Sequence, residues 1–475
     1  MWSVKKLTVL ILVLSGIACV SVVHAEDWPQ WGGPNRDNVS TERGWAESWP
    51  ADGPSVLWQV NAGVGDGQIA VVDGRACSLG LFAPDGKTAV PRGKEQQASE
   101  VLLCLDAETG QEEWRRIVAT GQVKRGRAWQ YEHGTPTVWQ GRVYVRSCWG
   151  HLRCYDAEDG ELRWSRRRES LDAAVLDHGY QDSLLLLDGL LVFVVQTTEE
   201  RKVQLVAISA EDGRDVWRAD VGAGRLTHWS PPACAVIDGK RTVVALCNEL
   251  LIGLDPADGQ ERWRFDVMKE AGLPGRAGSF GHTHGDANPP RICGDVIVAE
   301  ARHFIKREMR CTSDYFAVRI ENATPKLLWN SPDFVNWWDS QAVRGDHIYG
   351  IRRSPKGRFG STMAKHAYRG GENAKSALEC WEAATGELAW SIEHPAGPGT
   401  GGFVGAAFAV ADDRLFLHDE SHLTMGRISP EGYEHMASIS LNGPAAPPVP
   451  AHGRIYVRTA ADGTFRCFNS AEGEE

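Results

Sequence analysis

Residues 152–164 read Leu152-Arg153-Cys154-Tyr155-Asp156-Ala157-Glu158-Asp159-Gly160-Glu161-Leu162-Arg163-Trp164. An alternating run is followed by an Asp-Gly pair and a second run, which predicts a β-hairpin because glycine accepts the positive φ that the turn demands. The tryptophan lies four residues past the glycine. We therefore expect its ring at a fixed height on the last strand of a unit, where packing against a neighbouring unit buries on the order of 200 Å².

This phrase occurs eight times, which indicates a repeat protein. Five further copies end in tryptophan and two lack it: Leu102–Trp114, Leu205–Trp217, Leu251–Trp263, the looser Tyr315–Trp329, Leu378–Trp390, Leu423–Gly432 and Phe465–Gly473. A single sheet cannot bury both of its faces, so the copies must stack. Four-stranded units of this length, arranged radially, are the blades of a β-propeller, and an open solenoid is the alternative.

The two ends of the chain favour the closed form. The last copy, Phe465–Gly473, ends before a tryptophan strand, whereas Ser55-Val56-Leu57-Trp58-Gln59-Val60 is a tryptophan strand with no turn before it. Joining them completes an eighth blade and removes the exposed edges of an open array. The sequence thus predicts an all-β, eight-bladed propeller of four-stranded antiparallel blades, closed by an N-terminal strand that joins the last blade.

The repeat, with its Asp-Ala-x-Thr/Asp-Gly-x-x-x-Trp core, resembles the pyrroloquinoline quinone (PQQ)-like propeller repeat. Residues Asp27-Trp28-Pro29-Gln30-Trp31-Gly32-Gly33-Pro34-Asn35-Arg36-Asp37 resemble the lead-in found before many such propellers in exported bacterial proteins. The family contains quinoprotein alcohol and glucose dehydrogenases. It also contains non-catalytic members, among them the propeller lipoprotein of the outer-membrane β-barrel assembly machinery. The resemblance implies the fold and leaves the activity open.

The N-terminus has the pattern of a secretory signal. Lys5 and Lys6 precede an apolar run from Leu7 to Val23, and Val-His-Ala precedes Glu26. We predict cleavage after Ala25 and export to the periplasm or beyond; lipid attachment at Cys19 is the alternative. The chain then divides into a signal peptide (1–25), a lead-in segment (26–54) and the propeller (55–475). Apart from the signal, no stretch approaches the roughly 18 apolar residues of a transmembrane helix.

The charge of the chain disfavours some partners. Loss of a signal with two lysines and no acids moves the net charge from −11 to −13. An acidic surface of this kind disfavours nucleic acid and anionic lipid. We expect a monomer whose partner is an envelope protein or a small molecule.

Eleven cysteines in an exported chain suggest disulfides. The third residue of each repeat is small, however, in chain order Cys104, Cys154, Ala207, Gly253, Ala317, Cys380, Gly426 and Cys467. We therefore expect these four cysteines to act as small buried apolar residues. A bridge between Cys247 and Cys311 is conceivable and is not expected.

Candidate site residues collect on the connections that lead from one tryptophan strand to the next blade's inner strand. Five consecutive connections carry histidine, carboxylate, amide or indole groups just before the inner strand: Glu132, His133, His178, Gln181, Asp182, His228, Trp229, His282, His284, Asp286, Trp338 and Asp339. Blades two to six would therefore line one arc of the central funnel. Loops at one end of a rigid scaffold often carry function, so we predict a binding site there.

Three interpretations of this arc compete. Histidines and carboxylates from several blades could hold a metal. Indole faces with polar edges could stack a planar or sugar-like ligand. The groups could instead hydrogen-bond the loop backbones. The pair His282 and His284 is weak support for a metal, because alternate residues of an extended segment point to opposite sides.

The resemblance to dehydrogenases has implications of its own. It implies a quinone stacked on a tryptophan, a calcium held by Glu and Asn side chains, and an aspartate base. Many alcohol-oxidising members also carry adjacent cysteines, which this sequence lacks. Trp338 and Asp339, with Glu132 or Asp182, are the residues that could take those roles. No cofactor is assigned, and PQQ with calcium is the alternative.

The sequence thus favours an exported, non-catalytic propeller that binds a ligand or protein in the cell envelope. A PQQ-dependent alcohol or sugar dehydrogenase and a carbohydrate-binding propeller are the alternatives. Catalytic residues and metal ligands are not assigned.

Overall fold

The structure is a computed structural model, and the described residues are 25–65, 67–88, 90, 96–123, 134–176, 179–180, 182–200, 202–223, 230–247, 250–271, 289–305, 310–331, 341–352, 377–393, 407–419, 422–441, 443, 446–459 and 463–471. Side chains are described for all of these except residues 223, 301–305, 310–314 and 352.

Thirty-three described strands form eight sheets, each the sheet of one blade. The strands of blades 1 to 4 are β3 (Ala70–Val72), β4 (Arg75–Phe82), β5 (Gln96–Asp106), β6 (Glu112–Val123); β7 (Thr137–Trp139), β8 (Arg142–Arg146), β9 (Leu152–Asp156), β10 (Leu162–Arg166); β11 (Leu185–Leu187), β12 (Leu190–Gln196), β13 (Lys202–Ser209), β14 (Asp215–Ala223); and β15 (Ala233–Ile237), β16 (Lys240–Cys247), β17 (Leu250–Leu254), β18 (Glu261–Asp266).

The other four blades follow the same order, with two additions from the N-terminal region. Their strands are β19 (Arg291–Cys293), β20 (Val296–Ile305), β21 (Arg310–Glu321), β22 (Thr324–Ser331); β23 (Gln341–Arg344), β24 (His347–Arg352), β25 (Ala377–Glu382), β26 (Leu388–Glu393); β27 (Ala407–Ala411), β28 (Arg414–His418), β29 (His422–Ser429), β30 (Gly432–Ser440) with β1 (Val39–Ser40); and β31 (Val449–Ala451), β32 (Arg454–Arg458), β33 (Thr464–Asn469) with β2 (Val56–Asn61).

Each blade is antiparallel from its first strand to its fourth, and the first strands contact one another in six of the eight pairs of neighbouring blades. In blade 8 the fourth strand is β2, which pairs antiparallel with β33 and places Trp58 opposite Cys467. The predicted eight-bladed propeller and its closure by an N-terminal strand are therefore confirmed. The short strand β1 adds in parallel to β27, the inner strand of blade 7.

Each blade also docks on the next through the repeated tryptophan. The Trp114 indole N–H of blade 1 donates to the Ala157 carbonyl of blade 2 at 3.0 Å. A Cβ on Gly160 would lie 2.7 Å from that ring, and Gly160 has a φ of +69°. The glycine is thus required twice, by its positive φ and by the indole resting on it. We call each such contact a seam and name it by its two blades.

Five other seams repeat this hydrogen bond. In the order 8/1, 2/3, 3/4, 5/6 and 6/7, the indole N–H groups of Trp58, Trp164, Trp217, Trp329 and Trp390 donate to the carbonyls of Ala107, Ala210, Pro256, Ala383 and Ser429. The prediction that the tryptophan packs on the neighbouring unit is confirmed.

The small third residue of each repeat also has a cause in the strand register. It lies directly across from the tryptophan of its own blade, as in the pairs Cys154 with Trp164 and Gly253 with Trp263. A Cβ on Gly253 would lie 2.1 Å from the Trp263 ring. Little volume therefore remains at this position.

The cysteine predictions are confirmed in part. Cys154, Cys380 and Cys467 are free buried thiols, and so is Cys247, for which no bridge was expected. The prediction for Cys104 is wrong, because it forms a disulfide with Cys77. Cys77 lies directly opposite Cys104 on the neighbouring strand, with 4.3 Å between the Cα atoms. The small third residue of the repeat carries no signal for a partner on the second strand.

Helix is scarce. The described chain has a 3₁₀ helix at Arg168–Leu171 and the single turn α1 (Val267–Glu270). None of the described helices is long and apolar enough to traverse a bilayer.

Candidate functional site

Antiparallel order gives the propeller two chemically different faces. The turn between first and second strands and the turn between third and fourth strands lie together, as shown by the hydrogen bond from the Ala107 N–H to the Gly74 carbonyl. We call this side, with turns such as Asp73–Gly74 and Ala107–Gly110, the turn face. The opposite side, where inner strands begin near Thr135, Asp182, Ser230 and Pro289, is the loop face.

The predicted funnel residues belong to connections that reach the loop face. Eleven of the twelve lie outside the described residues: Glu132, His133, His178, Gln181, His228, Trp229, His282, His284, Asp286, Trp338 and Asp339. Their assignment to a binding site stays a prediction. The described ends of these connections are the starts of the inner strands of blades 2 to 6.

Asp182 is the predicted residue that the structure describes. Both of its carboxylate oxygens accept from Arg146 Nη1 at 2.7 Å, and the two side chains are 4% and 1% exposed. The guanidinium lies 4.0 Å from the ring centre of Tyr180 and 4.9 Å from that of Phe193. Burial raises the pKa of Asp182, and Arg146 opposes that rise. This pair connects blade 2 to blade 3 beneath the loop face.

A second carboxyl group sits beneath the loop face at seam 1/2. Glu100 is 1% exposed and accepts from the Cys148 backbone N–H at 3.0 and 3.2 Å. Burial raises the pKa of Glu100 to about 8, so the group is protonated at neutral pH. Glu100 thus joins blade 1 to blade 2 as a neutral acid.

The residues predicted from the sequence include Asp182 but neither Arg146 nor Glu100, although the repeat carries a signal for Arg146. Arg146, Glu300 and Arg458 occupy the same position on the second strands of blades 2, 5 and 8. Arg458, 2% exposed, donates to the Leu79 carbonyl at 2.7 Å and the Gly63 carbonyl at 2.8 Å in the neighbouring part of the ring. At Arg146 and Arg458, a charge at a repeat position that is otherwise apolar therefore marks a contact between blades.

The lead-in segment enters and leaves the axis at the turn face. It is hydrogen-bonded to the inner strands of six blades or to the residue just before them. Backbone hydrogen bonds join Trp28 to Val71, Pro29 to Val138, Asp37 to Val343 and Asn38 to Val410, and Arg36 is hydrogen-bonded to Leu184 and Arg291. It enters beside Asp73, whose N–H faces the Asp27 carboxylate, and leaves beside the blade 8 turn at His452. Sequence reasoning placed this segment outside the ring, since it lacks the repeat.

The centre of this plug is cationic and aromatic. The guanidinium carbons of Arg36 and Arg291 lie 5.2 and 5.0 Å from the centre of the Trp31 ring, which is 4% exposed. These are cation–π distances. Burial raises the pKa of the neighbouring Asp37 to about 7. The Trp31 ring is thus already covered by the chain's own side chains.

The described residues do not fit a quinone with calcium. No group of three or more His, Cys, Asp or Glu side chains in the described part of the chain could hold a metal ion. Trp31 is covered by Arg36 and Arg291. The other residues that the dehydrogenase resemblance points to, Glu132, Trp338 and Asp339, lie outside the described ranges. We therefore derive no step through that cofactor.

Comparisons with known proteins agree with the fold. A family model described as outer membrane protein assembly factor BamB matches residues 42–195 and 97–273, two overlapping stretches as expected for a repeat. No curated protein sequence matches the chain.

Among solved structures, the chain is similar to the quinohemoprotein alcohol dehydrogenase of Comamonas testosteroni, with a TM-score of 0.60, 15% identity, and coverage of 94% of this chain and 82% of that one. It is also similar to the quinohemoprotein alcohol dehydrogenase ADHIIG of Pseudomonas putida HK5, with a TM-score of 0.54, 12% identity, and coverage of 89% and 77%. At these identities the likeness shows the fold alone. Together with the tryptophan repeat and the eight closed blades, the match to that family model over residues 42–273 supports a PQQ-like β-propeller.

Proposed function

We propose that this protein is exported and acts in the cell envelope as a non-catalytic scaffold that binds a protein or small ligand at its loop face. Three observations support export and an envelope role: the signal-like pattern of residues 1–25, the acidic net charge, and the match to the family model of an outer membrane protein assembly factor.

The loop face is proposed as the binding face because the lead-in segment fills the axis. The lead-in segment enters and leaves through the turn face and fills the channel, with Trp28 fully buried and Trp31 and Arg36 nearly so. A partner approaching the axis therefore meets the loop face, where the predicted histidine, carboxylate and indole residues belong. Loops on a rigid scaffold are common binding elements.

The non-catalytic assignment draws on the two carboxyl groups described beneath the loop face. Asp182 is held by Arg146, and Glu100 by the Cys148 backbone N–H. Both are buried in contacts between blades, so their raised pKa values follow from packing. A strongly shifted carboxyl group is often catalytic, but here each shift accompanies a structural contact.

The test is capture of partners from envelope extracts by three forms of the protein. One is the wild type, one combines His228→Ala, His284→Ala and Asp339→Ala, and one combines Glu158→Gln and Glu211→Gln at exposed positions of the turn face. We expect the wild type and the turn-face variant to retain the same partner and the loop-face variant to lose it. All three should melt within a few degrees of one another.

Three outcomes would contradict the proposal. Equal capture by the loop-face variant would place the site elsewhere, and loss of capture in the turn-face variant alone would reverse the assignment of faces. Saturable absorbance changes on adding PQQ with calcium to the purified protein, followed by reduction of a dye with an alcohol, would replace the scaffold by a dehydrogenase.

A further inference from the structure

At the N-terminal end of the described chain, the backbone of Glu26 contacts the buried carboxylate of Glu42. The backbone nitrogen of Glu26 lies 3.2 Å from Glu42 Oε2. Glu42 is 1% exposed, and its other acceptor contacts are with the backbone N–H of His452, at 2.7 Å, and that of Gly453. Burial raises the pKa of Glu42. Its nearest hydrogen-bond partners are therefore three backbone N–H groups.

Glu26 is held in this position by its own side chain. Its carboxylate accepts from Ser40 Oγ at 2.7 Å and from the backbone N–H and hydroxyl of Thr41. The next residue, Asp27, pairs with His452 Nε2 at 2.9 Å. The Glu26 nitrogen thus lies between two contacts that fix it against the blade 8 turn. Ala25, directly before it, is exposed.

We infer that cleavage after Ala25 creates an α-ammonium group on Glu26 that pairs with Glu42 and latches the lead-in segment to blade 8. The inference rests on the proposed export and goes beyond it. Hydrolysis by an endopeptidase adds one water across the Ala25–Glu26 bond. Ala25 leaves as a carboxylate with the signal segment, and Glu26 keeps an amine that takes up a proton.

Cleavage changes the charge of the Glu26 nitrogen directly beside the buried Glu42 carboxylate. Before cleavage the Glu26 nitrogen is a neutral amide donor. After cleavage it is a cation beside a carboxylate that water hardly reaches, and hydrogen bonds between ionised partners are roughly twice as strong as neutral ones. A buried carboxylate also gains most from an opposite charge, because burial disfavours its ionised form. Removal of the signal therefore strengthens the plug as well as freeing the protein.

The experiment compares two forms of the mature chain, one beginning at Glu26 with a free amine and one with that amine acetylated. Each is made with Glu42 intact, with Glu42→Gln, and with the control Glu47→Gln, which removes a lead-in carboxylate that pairs with Arg414 and Arg427. With Glu42, the free form should melt about 2 °C higher than the acetylated form. The difference should vanish in Glu42→Gln and persist in Glu47→Gln.

A second measurement reports the ion pair directly. NMR titration of the Glu26 amine should give a pKa above the usual range of about 7.7–8.0, and the Glu42→Gln variant should return it to that range. Equal melting of the free and acetylated forms, or an amine with an ordinary pKa, would overturn the inference even if Glu42→Gln fails to fold.

Mass spectrometry of the full chain after expression in an exporting host separates the two proposals. A mature N-terminus at any residue other than Glu26 overturns the latch. A protein that begins at Glu26 but shows no coupling to Glu42 overturns the latch and leaves export intact.

Discussion

Seams 3/4 and 4/5 each bury a repeated tryptophan, Trp217 or Trp263, and differ in what that ring meets on the next blade. At seam 3/4 the Trp217 indole donates to the Pro256 carbonyl at 2.8 Å, and the ring lies on Gly259. At seam 4/5 the Trp263 ring is 5% exposed, yet its N–H finds no acceptor among the described residues. Blade 5 replaces the longer Asp-Gly turn by a tight turn with Asn322 and Ala323, both at positive φ.

A seam can combine a buried indole ring with a hydrogen bond from that ring, and seams 3/4 and 4/5 share only the buried ring. Seam 4/5 lacks the hydrogen bond among the described residues and has instead an aromatic contact between Phe265 and Phe316, with ring centres 5.9 Å apart. Burial of the indole is therefore the constant feature, and the hydrogen bond with its glycine is an addition. Blade 7 differs, because the ring of the half-buried Tyr433 lies against Gly426 of its own blade, and Trp49 of the lead-in segment donates to Ser470 Oγ at 3.1 Å.

The largest effect is expected from removing a ring. Trp114→Ala should lower the free energy of unfolding by about 3–5 kcal/mol, because the substitution leaves a cavity at seam 1/2. Ile117→Ala, at a 52% exposed position on the same strand, is the control and should change it by less than about 0.5 kcal/mol. Denaturant titration measures both, and a loss below about 1 kcal/mol for Trp114→Ala would mean that the ring does not stabilise the seam.

The next effect comes from crowding the ring. Gly213 and Gly239 have φ values of +71° and +72°, but a Cβ on Gly213 would lie 2.8 Å from the Trp164 ring, while one on Gly239 would meet nothing within 4 Å. Gly239→Ala should cost about 1 kcal/mol for the left-handed backbone. Gly213→Ala should cost about 1–3 kcal/mol more. Equal losses in thermal or denaturant unfolding would show that the seam tolerates the added methyl group.

A smaller effect isolates the hydrogen bond. Trp217→Phe should cost about 1 kcal/mol more than Trp263→Phe, since only the first change removes an indole donor that has a described acceptor. Denaturation of both variants under the same conditions gives the difference. A larger cost for Trp263→Phe would reveal an acceptor at seam 4/5.

At low pH, the smallest change in stability is expected for a substitution of Glu100, at the loop-face end of seam 1/2. Glu100 keeps its proton up to about pH 8 in the folded state but loses it near the ordinary glutamate pKa of 4.5 when unfolded. Between these values the unfolded chain binds fewer protons, so stability falls as the pH rises. Glu100→Gln should change stability at pH 5 by no more than about 1 kcal/mol, because glutamine keeps an acceptor for the Cys148 N–H.

The same substitution should flatten the decline of the melting temperature from pH 5 to 8. A decline as steep in Glu100→Gln as in the wild type would assign the pH dependence to other groups.

Much of this fold could be predicted from the sequence because the tryptophan and glycine of each repeat meet across a seam. Their spacing therefore encodes a contact between blades as well as a turn. Closure was predictable too, since Trp58 and the Phe465 hairpin are complementary halves of one repeat. The Cys77–Cys104 disulfide was not, because it joins residues across strands whose register the repeat comparison did not consider.

The lead-in plug lay beyond sequence reasoning for a different reason. Its hydrogen bonds run mostly to backbone atoms of inner strands, such as Val71, Val138 and Val410, and backbone partners leave no pattern in a sequence. For the candidate site, the sequence predicts a residue whose structural role it does not reveal. Asp182 is predicted as a polar group near the axis, but its burial beside Arg146 of the neighbouring blade depends on packing that one sequence does not display.

The pairing of β2 with β33 has a consequence for biosynthesis. The strand that completes the last sheet is among the first parts of the propeller to leave the ribosome, and its partner is among the last. A nascent chain must keep the edge of β2 unpaired through nearly all of translation, and such edges are templates for aggregation. A premature stop codon before Thr464 would remove β33, the strand that joins β2 to β32, and would therefore leave the circle open.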